Sequence, residues 1–256
     1  MSHERVKEVS CLAEVEPLMS RIIVVVPTYN EAENLPLLVP AVLDQDPRIE
    51  VLVVDDDSPD QTGKIADDLR IETGRVHVLH RPQKRGLGAA YRDGLAEALE
   101  LGADLVIQMD ADFSHPPDAI PLMLNEIESH DVVLGSRYLN GITVVNWPIE
   151  RILISYFGNR YARLVTGLPI TDTTGGFRCM RRELLQRIGF ERITSDGYAF
   201  QIEMNYRFVK CGARIKEFPF FFVDRKRGES KLDLRIAFEA VWIVWWLRIA
   251  DALGRL

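Results

Sequence analysis

The sequence has few cysteines and histidines, and neither type is arranged for chemistry. Cys11, Cys179 and Cys211 are far apart and odd in number, so they form neither a disulfide framework nor a zinc-ligand pattern. The five histidines are scattered, with no His-x-x-x-His pair and no nucleophilic Ser/His/Asp or Cys/His order. The cysteines suit a reducing cytosol, and histidine-based catalysis is not indicated.

A signal peptide and an excess of positive charge are missing too. Residues 1–20 contain no apolar core long enough for a signal peptide, and we interpret them as a flexible N-terminal extension. The net charge of −7 argues against a nucleic-acid partner, because tracking phosphates requires a basic face. Any phosphate site in this chain must therefore be locally basic.

The C-terminal residues 232–256 come closest to a membrane segment. Their unbroken apolar core, Ala240–Leu247, has only eight residues, whereas a spanning helix needs about 20. We predict an amphipathic, Trp-rich helix that does not cross a membrane. It either packs on the domain or lies at a membrane interface, which favours the indole rings of Trp242, Trp245 and Trp246.

Between these ends, short β-branched runs alternate with helical periodicity. The predicted strands are Ile22–Val26, Val51–Val54, Val76–Leu79, Leu105–Met109 and Val132–Leu134. The predicted helices include Thr62–Arg70, Gly88–Leu101, Ile149–Val165, Arg181–Arg187 and Phe200–Lys210, and Phe218–Val223 is expected to be extended. Pro36 and Pro40 disfavour the helix that would otherwise follow Asn30.

This pattern predicts an α/β fold with a mostly parallel sheet and helices on both faces, because the strands are nearly continuous apolar runs. The first half is doubly wound, and the less regular second half completes the site. No internal repeat, low-complexity tract or linker interrupts the chain, so we predict one catalytic domain over residues 21–231.

Three predicted strands end in polar, mostly acidic turns, at the place where open parallel sheets bind ligands. The turns are Pro27-Thr28-Tyr29-Asn30-Glu31, Asp55-Asp56-Asp57-Ser58 and Asp110-Ala111-Asp112. So many carboxylates on one rim repel each other unless a cation or hydrogen-bond donors offset them. Asp55 and Asp56 are suited to accept hydrogen bonds from a base or ribose, but they could equally form an Asx turn before the next helix.

Asp110 and Asp112 lie two residues apart after a buried strand. A turn there can present two oxygens to one divalent ion, which bridges a diphosphate. The alternative is that Asp112 or Ser114 caps a helix beginning near Pro116. The acidic turn after the second strand favours the metal site.

Basic residues complete the predicted site. Four of them follow the extended segment and surround Gly228: Arg225, Lys226, Arg227 and Lys231. Such a loop can close over a nucleotide diphosphate, although a solvated turn is the simpler alternative. Arg151 and Ser155 lie four residues apart on a predicted helix and can jointly hold another phosphate, as can many exposed polar pairs.

Together the motifs resemble those of the dolichyl- or polyprenyl-phosphate mannose synthases, inverting enzymes of glycosyltransferase family 2 with the GT-A fold. The matches run in order from about Arg21 along nearly the whole chain. They comprise the turn Pro27–Glu31, the run Val54–Asp60, Asp110–Asp112 with His115-Pro116-Pro117, Gly135–Tyr138, Arg151 with Ser155, Asp172–Arg178, Phe200–Met204 and Asp224–Lys231.

The resemblance implies a role for each matching residue. The donor nucleotide pocket would comprise Pro27, Tyr29, Asn30, Glu31, Asp55, Asp56 and Asp110, with Arg225 and Lys231 on the diphosphate. Asp110 and Asp112 would bind Mg²⁺ or Mn²⁺. Arg137, Arg151 and Ser155 would hold the acceptor phosphate, and Asp112, Arg137, Arg225 and Lys231 would be catalytic. Asp57 and Gln61 depart from the pattern, since Gly or Asn is common at the first and Gly at the second. Ser114 stands where some members have a Gln ligand, so the third protein ligand is open.

The resemblance also implies the substrates: GDP-mannose as donor and a polyprenyl (dolichyl-type) phosphate as acceptor. A lipid acceptor implies a cytoplasmic enzyme held peripherally at a membrane, by the membrane surface itself or by a membrane-protein partner. The alternatives are a family 2 enzyme that uses UDP-glucose or UDP-N-acetylglucosamine, and a non-catalytic nucleotide-binding scaffold. A scaffold would be expected to have lost Asp110, Asp112 or the Arg225–Lys231 loop, and this chain retains all three.

Overall fold

The computed structural model describes residues 20–224 and 234–254, and the side chains of residues 234–241 are not described. Its strands are β1 Ile22–Thr28, β2 Ile49–Asp55, β3 Val76–His80, β4 Leu105–Gln108, β5 Val132–Ser136, β6 Val144–Val145, β7 Arg178–Arg181, β8 Ile215–Pro219 and β9 Phe222–Val223. Its α-helices are α1 Leu35–Leu43, α2 Thr62–Thr73, α3 Leu87–Glu100, α4 Ile120–Glu126, α5 Ile149–Thr166, α6 Arg182–Ile188, α7 Gly197–Lys210 and α8 Leu234–Ala252. Short 3-10 turns cover Pro117–Ala119 and Phe190–Arg192.

A seven-stranded sheet in the order β3-β2-β1-β4-β7-β5-β8 forms the centre of the molecule. All its strands run parallel except β7, which is antiparallel to both β4 and β5. The mostly parallel α/β sheet predicted from the sequence is confirmed, and so are all five predicted strands within a few residues.

Alternate residues of the buried strands supply two apolar layers, one on each face of the sheet. Ile22, Val24 and Val26 of β1 pack with residues of α1, α2 and α4. Ile23 and Val25 pack on the other face with residues of α3, α6 and α7. Because successive strand side chains point to opposite faces, a strand buried on both sides must be apolar throughout.

Three details differ from the sequence predictions. α1 forms although it contains Pro40, because its buried leucines and valines anchor it to the sheet and Pro36 lies in its first turn, where a missing N–H costs little. β7 was not predicted as a strand. The segment Phe218–Val223 is not one strand: β8 ends at Pro219, and β9 pairs with β6 in a separate two-stranded sheet.

The C-terminal helix α8 packs against α5 and α7 through an apolar cluster of its own. Val244 and Leu247 are buried there with Ala162 of α5 and with Ile202 and Tyr206 of α7. In the part of the chain that the structure describes, no helix is both long and apolar enough to cross a membrane. Residues 1–19 of the predicted extension and the predicted basic loop, including Arg225 and Lys231, lie outside the described residues.

Candidate active site

The carboxyl ends of β1, β2 and β4 lie at one edge of the sheet because these strands are parallel neighbours in the order β2-β1-β4. Thr28 at the end of β1 pairs with Asp55 at the end of β2. β4 continues directly into Asp110 through Met109, whose N–H donates to the carbonyl of Val25 at 3.2 Å. The three acidic turns predicted from the sequence are therefore brought together on one rim.

The turn after β1 is joined to the turn after β2 by backbone N–H groups. Asn30 donates to Ser58 Oγ at 3.1 Å, and Glu31 donates to Thr62 Oγ1 at 2.9 Å. Pro27 is half-buried within β1, and Tyr29 is exposed at the rim. Pro27 thus lies in β1, and Tyr29, Asn30 and Glu31 lie in the loop that follows it.

A lysine that the sequence interpretation missed stands over this loop. The ammonium nitrogen of Lys84 lies 3.6 Å from the centroid of the Tyr29 ring. Lys84 belongs to the segment between β3 and α3, which reaches the rim because β3 is the neighbour of β2. The positively charged ammonium group of Lys84 therefore lies beside the acidic turns.

Asp55 and Asp56 have different environments. Asp55 accepts hydrogen bonds from the N–H of Ser58 at 3.2 Å and from its hydroxyl at 2.6 Å, three residues further along the chain. The Asx turn before α2 is formed by Asp60, which accepts from the N–H of Thr62 at 3.1 Å. Asp56 is buried in an ion pair with Arg81, whose Nε also donates to Asp93 at 2.8 Å. Burial raises the pKa of Asp56 above its ordinary value, although the Arg81 guanidinium acts in the opposite direction.

Asp110 is held by two side chains that sequence reasoning did not select. The Tyr91 hydroxyl donates to Asp110 Oδ1 at 2.6 Å, and the backbone N–H of Asp110 donates to His115 Nδ1 at 3.0 Å. Burial and the neighbouring Asp110 carboxylate raise the pKa of Tyr91 well above its ordinary value, so the phenol keeps its proton. The adjacent His115-Pro116-Pro117 motif was the signal that could have identified His115.

Asp112 is part of a tight turn and does not cap a helix. Its Oδ1 accepts from the N–H of Ser114 at 3.1 Å, and Phe113 between them has φ of 62°. The turn Pro117–Ala119 begins after Pro116 without a side-chain cap. The capping alternative for Asp112 and Ser114 is therefore wrong.

The carboxylates of Asp110 and Asp112 are both partly exposed at the rim and suit a hard divalent cation. Within residues 20–224 and 234–254, no three His, Cys, Asp or Glu side chains are grouped to hold a metal ion. His115 does not fit as the third ligand, because its Nδ1 accepts from Asp110 and its Nε2 therefore carries the proton. Mg²⁺ often binds one or two carboxylates and completes its shell with substrate phosphates and water, and these two residues fit that arrangement.

Arg137 follows β5 and forms a buried pair with Asp172. Its Nε lies 2.6 Å from Asp172 Oδ2, its Nη2 lies 2.8 Å from Asp172 Oδ1, and Nη2 also donates to Thr174 at 2.8 Å. Burial alone would lower the pKa of Arg137, but the carboxylate of Asp172 raises it above its ordinary value. Asp172 was not selected as a site residue from the sequence, although it begins the matching run Asp172–Arg178.

The other two predicted acceptor residues lie close to Arg137, with aromatic rings between them. The Arg151 guanidinium lies 4.0 Å from the centroid of the Trp147 ring, and that of Arg137 lies 5.7 Å from the same centroid. Ser155 Oγ accepts from the Tyr138 hydroxyl at 2.7 Å. The structure therefore brings Arg137, Arg151 and Ser155 into one region.

The region of Arg137, Arg151 and Ser155 adjoins Asp224, the last residue that the structure describes before the predicted basic loop. Asp224 follows β9, and its Oδ2 lies 2.8 Å from Arg151 Nη1. Asp224 therefore lies beside Arg151, one of the predicted acceptor residues.

A mostly parallel sheet with helices on both faces and carboxylates at the ends of adjacent strands is typical of α/β proteins that bind a ligand at that edge of the sheet. Residues 23–189 match the family model described as "Glycosyl transferase family 2". The chain belongs to glycosyltransferase family 2, and it is a glycosyltransferase, as the sequence predicted.

Two curated relatives are similar over most of the chain. One is the undecaprenyl-phosphate mannosyltransferase of Micrococcus luteus, which is 46% identical over 221 residues, 86% of this chain and 91% of the relative. The other is the polyprenol monophosphomannose synthase of Mycolicibacterium smegmatis, which is 42% identical over 240 residues, 92% of this chain and 90% of the relative. The resemblance to polyprenyl-phosphate mannose synthases is thereby confirmed.

Solved structures agree on the fold. The glucosyl-3-phosphoglycerate synthase of Mycobacterium tuberculosis with UDP superposes with a TM-score of 0.66 at 18% identity, covering 90% of this chain and 80% of that one. Its complex with Mn²⁺ and UDP-glucose gives a TM-score of 0.66 at 19% identity, with 90% and 79% coverage. At this identity the likeness establishes the GT-A fold alone.

Proposed function

We propose that this protein transfers mannose from GDP-mannose to a polyprenyl (dolichyl-type) monophosphate and inverts the anomeric configuration. The observation that carries the proposal is the pairing of two regions at one end of the sheet. One is the acidic rim of Asp55, Asp56, Asp110 and Asp112, and the other is the region of Arg137, Arg151 and Ser155. Relatives named for mannosyl transfer to lipid phosphates support this choice of substrates.

In this proposal the donor nucleotide binds along the rim formed by Pro27, Tyr29, Asn30, Glu31, Asp55 and Asp56. Asp110 and Asp112 hold Mg²⁺ or Mn²⁺, which supplies positive charge to the leaving diphosphate. Tyr91 and His115 keep Asp110 oriented by their hydrogen bonds. Arg225 and Lys231, which lie outside the described residues, are assigned to the diphosphate by family resemblance.

The acceptor requires no general base, because the second pKa of a phosphate monoester is about 6 and its oxygen is largely ionised near neutrality. Arg137, Arg151 and Ser155 align that oxygen opposite the leaving group. Positioning and charge stabilisation then supply most of the rate enhancement. A single displacement at the anomeric carbon inverts its configuration.

We also propose a catalytic domain over residues 21–231, a flexible extension over 1–20 and a Trp-rich amphipathic helix over 232–256. The lipid acceptor places the protein peripherally at the cytoplasmic face of a membrane. The mannosyltransferases named above have lipid phosphates in their names, which supports this location.

Transfer of radiolabelled mannose into an organic-extractable product tests the function. GDP-mannose and a polyprenyl phosphate are incubated with the full chain, with and without EDTA, beside Asp112→Asn. Asp118→Asn is the matched control, because Asp118 is an exposed carboxylate in the same segment. We expect label in the lipid phase that disappears with EDTA and with Asp112→Asn but persists with Asp118→Asn.

The same assay with UDP-glucose and UDP-N-acetylglucosamine decides the donor. Transfer from a UDP-sugar without transfer from GDP-mannose would overturn the donor assignment. Absence of transfer from all three donors, in a chain that still binds a nucleotide, would favour a scaffold.

A further inference from the structure

Asn159 is a buried amide side chain on α5, close to the predicted acceptor residues. It lies four residues after Ser155 and eight after Arg151, so the three share one face of the helix. Asn159 is only 3% exposed. Burying an amide costs free energy unless its polar atoms are hydrogen-bonded, so its partners indicate what it holds in place.

All the hydrogen-bonding groups of the Asn159 amide are used. Its Oδ1 accepts from the backbone N–H of Thr173 at 2.7 Å and from the Thr173 hydroxyl at 2.8 Å. Its Nδ2 donates to the carbonyl of Ser155 at 2.9 Å and to Thr174 Oγ1 at 3.1 Å. A peptide N–H can only donate and a carbonyl can only accept, so these partners fix which side of the amide faces Thr174.

The hydroxyl of Thr174 connects Asn159 to Arg137. Its oxygen accepts from Asn159 Nδ2 and from Arg137 Nη2, the latter at 2.8 Å. Its proton is donated to Asp172 Oδ1 at 3.3 Å. A hydroxyl has one donor and two acceptor positions. All three are occupied, so the direction of this hydroxyl is fixed and one lone pair always faces Arg137.

The bonds to Asp172 and Thr174 also decide which edge of the Arg137 guanidinium is available to a ligand. Nε and Nη2 supply all three donations to these two residues. Arginine has five N–H donors, so the remaining two are those of Nη1. No group of residues 20–224 or 234–254 accepts a hydrogen bond from Nη1. Nη1 is therefore the part of Arg137 that can bind a phosphate oxygen.

We infer that Asn159 is a positioning residue for the acceptor phosphate, which acts through Thr174 to hold the Nη1 edge of Arg137 towards the phosphate. α5 then carries Arg151 and Ser155, which are proposed to bind the phosphate, and also the residue that aligns Arg137. Such alignment matters because the proposed reaction depends on placing the acceptor oxygen opposite the leaving group. The inference rests on the proposed function, to which it adds the residue that aligns the acceptor site.

A purely structural role for Asn159 would be to anchor the loop after α5, but that loop has other anchors. Asn205 of α7 is fully buried, and its Nδ2 donates to the carbonyl of Thr173 at 3.0 Å. Glu217 of β8 accepts from the N–H of Asp172 at 3.1 Å. Asn205 holds the same loop without a bond to Arg137 or its hydroxyl partner. An Asn205 variant therefore measures the effect of loop anchoring alone.

Binding of farnesyl phosphate, a short water-soluble prenyl phosphate, tests the inference by calorimetry on the full chain without a donor. Asn159→Asp keeps the oxygen that accepts from Thr173 and replaces the Nδ2 donor with a carboxylate oxygen. We expect about tenfold weaker binding of farnesyl phosphate, the loss of about one hydrogen bond to a charged network. Asn205→Asp is the matched control, because it adds the same charge beside the same loop, and it should bind farnesyl phosphate like wild type.

The connecting hydroxyl is tested without any change of charge. Thr174→Val removes the hydroxyl and should weaken binding of farnesyl phosphate by about tenfold, whereas Thr174→Ser keeps the hydroxyl and should restore it. The Asn159→Asp, Thr174→Val double variant should bind no more weakly than either single variant, because both act on Arg137 by one route. Thr174 is partly exposed, so these variants decide the question even where Asn159→Asp does not fold.

The binding of GDP with Mn²⁺ and the Tm should show that the donor side and the fold are intact in Thr174→Val. In the transfer assay, the KM for farnesyl phosphate should rise in Asn159→Asp and Thr174→Val, and the KM for GDP-mannose should not change.

Equal losses in Asn159→Asp and Asn205→Asp would assign the effect to loop anchoring and overturn the inference. Binding like wild type in both Asn159→Asp and Thr174→Val would also overturn it, while leaving the proposed function intact. A wild-type chain that binds no farnesyl phosphate would refute the proposed acceptor, and the inference with it.

Discussion

Several residues of the active-site rim have a backbone conformation that glycine adopts most easily. Asn30, Asp57, Gln61 and Phe113 all have positive φ, between 58° and 71°. The left-handed region strains side chains with a Cβ, at a cost of order 1 kcal/mol or more each. Glycine adopts this region without strain, and Asn tolerates it. The family resemblance predicts Gly or Asn at the position of Asp57 and Gly at that of Gln61. Asp57 and Gln61 therefore lower the stability of the folded state, while the turns keep their shape.

Gln61→Gly should stabilise the protein by about 0.5–1 kcal/mol, because relief of strain outweighs the added freedom of the unfolded chain. Gly74→Ala is the matched opposite change, since Gly74 ends the same helix with φ of 66°. It should destabilise by a similar amount. Chemical denaturation measures both, and a destabilising Gln61→Gly would contradict the strain argument.

Tyr91→Phe should lower metal-dependent transfer by about tenfold, because it removes the hydrogen bond that orients Asp110. In a titration of the transfer rate against Mn²⁺ or Mg²⁺, the half-maximal rate should require a higher metal concentration than in the wild type. Tyr206→Phe is the control, since Tyr206 donates to Asp251 at 3.0 Å far along α8. Equal losses in both variants would indicate a general effect of removing a buried hydroxyl.

At the scale of elements, α3 packs against the sheet closely enough to require a glycine. A Cβ on Gly94 would lie 2.6 Å from Val25 Cγ1 and 2.8 Å from Val54 Cγ2. Those two valines belong to β1 and β2, the strands that lead into the predicted donor-binding turns. The close approach of α3 also sets the position of Tyr91 beneath Asp110.

Gly94→Ala should destabilise the fold by about 1–3 kcal/mol through overpacking, despite the better helix propensity of alanine. Gly158→Ala is the matched control on α5, where a Cβ would meet nothing within 4 Å. It should stabilise by about 0.5–1 kcal/mol. Denaturation midpoints compare the two, and similar values for both variants would refute the close-packing argument.

At the scale of the whole molecule, the site joins residues that are distant along the chain. β1, β2 and β4 lead into the acidic rim, while β5, α5 and the loop after α5 carry Arg137, Arg151, Ser155 and Asp172 of the predicted acceptor region. A ligand that spans these elements binds only the folded chain, so binding must raise the stability of the whole domain.

GDP with Mn²⁺ at about 100 times its Kd should stabilise the protein by about 2.7 kcal/mol. For a chain of 256 residues this corresponds to a rise in Tm of about 5–10 °C. EDTA should remove most of the rise, and Asp112→Asn should show little of it. Thermal unfolding followed by circular dichroism measures the shift, and a rise unaffected by EDTA would argue against the metal site.

The sequence by itself determined five of the nine strands that the structure describes, most of the helices and the acidic character of the rim. The spacing of apolar residues and the local composition depend only on neighbouring residues. The strand Ile22–Val26 and the helix Thr62–Arg70 could therefore be assigned from short stretches of sequence. The parallel arrangement then followed, and it placed Asp55, Asp56, Asp110 and Asp112 at one edge.

Only the tertiary structure decided which side chains meet. Arg137 and Asp172 are 35 residues apart in the chain, and Arg81 and Asp56 are 25 apart. No periodic pattern encodes such pairs. The antiparallel strand β7 could not be predicted from the sequence either. Its four residues form a strand by pairing with β4 and β5 on either side. Contacts across long sequence separations depend on how the elements pack, and that packing is a property of the whole chain.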